Sequence, residues 1–137
     1  MATDLTGAIA HLATSAQLLN ELTDQATSAV SRVEEALGEL NIGIETQTPL
    51  DGKPNRFLKY VRVGKEREFR ITVSGQTGTG TPWAQLSRDK KIEAITALPR
   101  LILKLSELVD QRVEKASTAL RELNEILPNL TATLGRD

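Results

Sequence analysis

The chain contains no cysteine. Disulfide staples, thiolate metal sites and cysteine nucleophiles are excluded at once. The single histidine, His11, has no companions at the spacing a metal cluster or a serine triad needs, and it falls at the solvent edge of a helical stripe. Aromatic residues are scarce: Phe57, Tyr60, Phe69 and Trp83 are all of them. Each would bury roughly 150–250 Å², so a chain this poor in them must build its core from Leu, Ile, Val and Ala. Such a composition suits long, thin seams between helices. Apolar runs are short as well, none approaching the ~20 residues of a membrane span. The opening stretch MATDLTGAIAHLATSAQ lacks the basic leader and apolar core of a signal peptide. The expectation is a soluble cytoplasmic protein without membrane contact, a single domain over 1–137.

Glycine, by contrast, is concentrated. SGQTGTGTPW, from Ser74 to Trp83, holds three glycines and three threonines. A phosphate loop needs backbone N–H groups converging on a helix start, with a lysine directly after the last glycine. No cation follows here until Arg88. A dinucleotide fingerprint would need parallel strands about it. The stretch therefore reads as a flexible connection over 75–81, and no cofactor is expected.

Net charge is −1 but unevenly placed. Met1 to Asp51 carries eight acidic residues and one basic; Gly52 to Val73 carries seven basic and two acidic. Asymmetry of this kind marks a binding face or complementary faces in an oligomer. Acidic pairs offer little chemistry. Glu34 and Glu35 are neighbours and diverge on a helix, whereas Glu122 and Glu125 share a face with Arg112 and Arg121 close by. Both read as solvated helix charge.

The strongest pattern is periodic. Leu5, Ile9, Leu12, Ala16, Leu19, Thr23, Ala26, Val30, Val33, Leu37 and Leu40 alternate steps of four and three. A 3.5-residue period held this long predicts coiled-coil-like packing of a helix over 4–38, started by Thr3 or Asp4 and ended by Gly38 or Asn41. A second stripe, Leu98, Ile102, Leu105, Val109, Arg112, Ala116, Ala119 and Leu123, predicts a helix over 100–127 that stops before Pro128. Leu101, Leu108, Val113 and Leu120 widen it, as for a helix with several neighbours.

Between the helices, 41–74 reads as a small antiparallel sheet. Asn41 to Thr48 alternates like a strand, TPLDGKPN reads as a loop, and RFLKYVRV and EREFRITV flank Gly64-Lys65 as a hairpin. A two-residue turn would pair Tyr60 with Phe69. A three-residue turn would pair Val61 with Phe69 and gather Phe57, Val61, Phe69 and Val73 on one face; the buried pattern favours this second register. Thr81-Pro82 or Ser87 then caps a short helix over 82–98, which Pro99 ends or kinks.

The predicted class is α+β, mainly α. Two long antiparallel heptad-patterned helices carry a small two- to three-stranded antiparallel sheet and a short helix inserted between them. Two such hairpins are expected to form a homodimer through Leu12, Leu19, Val30, Val33, Leu37, Ile102, Leu105 and Val109. The functional expectation is a non-enzymatic interaction or structural accessory protein with an unknown protein partner. Its rival is a nucleic-acid-binding dimer using the basic hairpin 53–70, chiefly Lys59, Arg62, Lys65, Arg67 and Arg70. Trp83 reads as a plug at the sheet–helix junction, or else as an anchor for a partner.

Overall fold

The computed structural model of the chain describes residues 2–65 and 67–135. It is mainly helical, with an antiparallel sheet held between two long helices. Helix α1 spans Ala2–Glu39, strands β1 to β4 span Thr46–Leu50, Lys53–Val63, Glu68–Ser74 and Thr81–Pro82, and helices α2 and α3 span Arg88–Ile95 and Leu98–Thr133. The sheet has four strands in the order β1-β2-β3-β4, not the expected two or three.

The extra strands come from segments whose patterns misled. Expected strand 41–48 begins only at Thr46, and Asn41 to Glu45 is a connector starting with Asn41 at φ 53°, which closes α1. The expected loop TPLDGKPN is mostly strand. Its turn is Asp51-Gly52 alone, with Leu50 opposite Lys53 and Gly52 at φ 69°. Pro49 fits there because β1 is an edge strand and the missing N–H points away from the ladder.

The hairpin takes neither expected register. Val63 pairs with Glu68, and at the turn between them Arg67 adopts φ 56° and its N–H donates to Gly64 O at 3.3 Å. Tyr60 therefore faces Ile71, and Leu58 faces Val73. The face that gathers is Leu58, Tyr60, Ile71 and Val73, joined by Thr46, Thr48 and Leu50 of β1, all buried. Tyr60, which the favoured register leaves off the gathered apolar face, is 1% exposed.

Downstream, Thr81-Pro82 is strand β4 rather than a helix cap, and Trp83–Gln85 forms a single 3-10 turn. Ser87 caps α2 by accepting from Lys90 N, so the expected helix 82–98 shrinks to Arg88–Ile95. Pro99 lies in the first turn of α3, where its missing N–H costs nothing. Pro128 does not stop α3, which runs on to Thr133. Gly80 tightens the approach to β4. It sits at φ +82°, and a Cβ there would lie 2.5 Å from Ser74 Cβ and 2.6 Å from Val73 O.

The long helices also differ from expectation in what they touch. α1 packs on β3, α2 and the 3-10 turn, while α3 packs on β1 and β2; they do not run along each other. Each covers a sheet edge. Arg100 and Lys104 of α3, one turn apart, donate to Pro49 O at 3.0 Å and Gln47 O at 2.7 Å on β1. Glu34 of α1 accepts Ile71 N–H at 2.8 Å on β3, beyond the reach of the two-residue β4. Unpaired edge groups invite aggregation, and these side chains occupy them.

Candidate interaction surfaces

The basic hairpin does not present one basic face. Neighbouring strand residues point to opposite sides of a sheet, so Lys59 and Arg70 share the side away from Tyr60 and Arg62. Lys59 is only 4% exposed. Its ammonium donates to Gly78 O at 2.9 Å and Gln76 O at 3.4 Å. Arg70 is held by Glu68 at 2.7 Å. Arg62 lies over the Phe69 ring, 5.1 Å from its centroid, and its backbone N–H donates to Glu45 at 3.2 Å. Of the five expected contact residues, Arg62, Lys65, Arg67 and Arg70 are exposed, Arg70 within a surface ion pair with Glu68, and Lys59 is buried and engaged by the loop. Glu66, which tempers the charge of the hairpin in sequence, lies outside the described residues.

The glycine-rich stretch now has a chemical polarity. Its carbonyls, not its N–H groups, turn toward a charge, and that charge is the Lys59 ammonium. Thr72 Oγ1 adds a bond to Thr79 O. A loop that aims carbonyls inward suits a cation and opposes a phosphate. The connection thus doubles as a cover for the outer side of β2 and β3.

Between the end of α1 and the hairpin lies a polar cleft lined by Glu34, Asn41, Tyr60, Arg67 and Arg70 among others. Burial, followed by the nearby Glu34 charge, pushes the Tyr60 phenol above its ordinary pKa. A phenol shifted in that direction stays protonated at neutral pH and is no base. Glu34 is spent on Ile71 N–H, and Glu35 stands exposed beside it. Glu122 and Glu125 are exposed on α3. His11 is exposed, 3.4 Å from Ser15 Oγ one turn on.

Trp83 is a plug and not an exposed anchor. It is 3% exposed, and its Nε1 donates to Thr27 Oγ1 of α1 at 3.3 Å. No family model, curated protein or solved structure matches the chain. Function must therefore be argued from this geometry.

What remains is the apolar surface of the helices. The expected seam divides in two. Val30, Leu37 and Leu105 fill the core of a single chain, and the half-buried Val33 and Val109 pack against it. Leu19 is half-buried, whereas Leu12 is 67% and Ile102 39% exposed. Every described side chain from 4 to 18 and from 110 to 135 is exposed. At 1.5 Å per residue, the outer part of α3 extends roughly 35 Å beyond its last packed turn. All the exposed large hydrophobics except Leu40 lie on α1, on α3 or at the α3 C-cap. Sequence reasoning had Val113 and Leu120 on the widened α3 stripe but missed its continuation to Leu130 and Leu134, because Pro128 was read as a stop. The signal was the 3.5-residue spacing continuing through the proline. Among the described residues no helix is long and apolar enough to cross a membrane.

Proposed function

We propose that this protein is a non-enzymatic interaction or structural accessory protein that works as a helical homodimer, its two long helices serving as the assembling arms. One observation carries the reading. Both helices keep a regular apolar stripe far beyond the body they pack on, and leave it bare. Contiguous exposed apolar surface marks an interaction site, and a 3.5-residue period marks other helices as its natural cover. A second copy supplies such helices without any further component. The sheet, covered on one side by the helices and bridged on the other by the glycine-rich loop at Lys59 and Thr72, is then the platform that holds the arms.

Light scattering tests this directly. The expected mass is twice the 15.0 kDa of one chain. A monomer at working concentration would sink the reading.

The exposure of Arg62, Lys65 and Arg67 about one turn favours a second reading, a nucleic-acid contact. Under it, a random-sequence duplex shifts the particle at low salt, the affinity falls steeply as salt rises, and reversing the three charges to Glu abolishes the shift. With Lys59 and Arg70 already engaged, the homodimer reading predicts no such shift.

A further inference from the structure

The two bare stripes share one rhythm, yet within a chain their outer stretches, 4–18 and 110–135, are left exposed. Up α1 the stripe runs Leu5, Ile9, Leu12, Ala16, Leu19, Thr23, in steps of four and three. Down α3 from Leu134 through Leu130, Leu127, Leu123 and Leu120, the same steps recur in the same order. Antiparallel helices laid together in this register keep every layer aligned. Leu5 meets Leu134, Leu12 meets Leu127 and Leu19 meets Leu120. Ala16, the small residue, meets Leu123.

Charge placement defines how wide the contact is. In heptad terms, with the stripe at a and d, the charged or titratable residues of the α1 arm are Asp4, His11, Glu21 and Asp24. All four fall on the outer b, c and f positions. On α3 beyond Val113 they are Glu114, Lys115, Arg121, Glu122 and Glu125, again only at b, c and f. Two-stranded coiled coils place charges at e and g, where the pair meets solvent. These arms have none there, and Leu22 and Ile126 occupy g positions. Each arm therefore presents a seam with uncharged flanks, apolar along a and d and at Ala8, Leu22, Ala119 and Ile126 on the g side, with Thr6, Asn20, Ser117, Asn124 and Thr131 at e.

We propose that a second copy of this chain covers the arms, the α1 arm of one copy lying antiparallel on the α3 arm of the other and reciprocally. The inference rests on the homodimer reading and adds which element meets which, and in what register. Pairing α1 with its own copy sets the thin stripe against itself, Leu12 opposite Ala16, and leaves the α3 leucines wet. The reciprocal exchange covers both stripes with two identical seams, as a two-fold axis requires.

A chain without cysteine makes the test clean. Chains carrying Leu12→Cys and chains carrying Leu127→Cys are mixed, exchanged and oxidised. The expected product is a disulfide-linked species of twice the chain mass, formed from one chain of each kind and lost when Leu127→Cys is replaced by the outward-facing Glu125→Cys. Ile9→Cys with Leu130→Cys should behave alike, which covers the case of a first pair that fails to fold. A dimer by light scattering that gives no mixed bond with either pair overturns this pairing and leaves the homodimer standing. Links forming only between identical chains overturn it equally. So does closure within a single chain carrying both Leu12→Cys and Leu127→Cys. A monomer overturns both readings.

Discussion

Tyr60 is the only tyrosine in the chain, so tyrosinate absorbance reports on it alone. Burial and then the Glu34 charge raise its pKa in the folded protein. In the unfolded chain it should titrate near the ordinary value of about 10. Below that pH the phenol is protonated in both states, and its contribution to stability is fully present. Above it the unfolded state loses a proton that the native state keeps, so stability falls as pH rises through the folded pKa. The expected result is an absorbance midpoint in native protein above that in denaturant, with the alkaline decline in stability flattened by Tyr60→Phe. Equal midpoints would contradict the burial of this ring. Lys59 gives a second test at this scale. Lys59→Met keeps the buried stem but strips Gln76 and Gly78 carbonyls of their donor. Loss of a hydrogen bond from a charged donor costs about 1.5–3 kcal/mol, to be read as a lower urea midpoint at unchanged slope. A midpoint equal to that of the unsubstituted chain would mean that water serves those carbonyls as well.

Elements were legible where their period was long and their side chains apolar. The 3.5-residue stripe of α1 repeats often enough to set its extent within a few residues, and Asn41 closes it in the left-handed conformation that asparagine tolerates. β1 was not legible as drawn, because its buried face is Thr46, Thr48 and Leu50, and threonine reads as polar. The hairpin register was lost to Arg67, since nothing in an arginine announces a positive φ. Of the candidate site, the bare Leu12 stripe was legible. The engagement of Lys59 was not, because its partners are backbone carbonyls of a distant loop. Pro128 misled for a further reason: one missing N–H does not outweigh a helix otherwise well suited to continue. It still leaves Asn124 O without its intrahelical donor. Pro128→Ala should therefore stabilise the outer arm by up to about 3 kcal/mol, seen as a gain in helical circular dichroism and a higher thermal midpoint. A loss of helicity would show that the proline shapes a bend the arm requires.

For the whole molecule the central question is whether folding and assembly are separable. The core of one chain gathers residues from every layer: Val30 and Leu37 of α1, Leu58 and Ile71 of the sheet, Trp83, and Leu101 and Leu105 of α3. Nothing in that cluster comes from the outer arms. Small cores leave little stability to spare, yet this one is contiguous and, among the described residues, contains no buried side-chain polar atom without a partner. Leu105→Ala, at a site 2% exposed, should lower the stability of the body by about 2–5 kcal/mol. Wherever the protein remains folded, it should leave the mass by light scattering unchanged. Leu12→Asp with Leu127→Asp should do the reverse and halve the mass. The single tryptophan would keep the blue-shifted, poorly quenched emission of a buried ring, because Trp83 is sealed against Thr27 inside one chain. If the double variant instead exposes Trp83 as it dissociates, the body does not stand without the arms, and the protein is an obligate dimer whose stability depends on its own concentration.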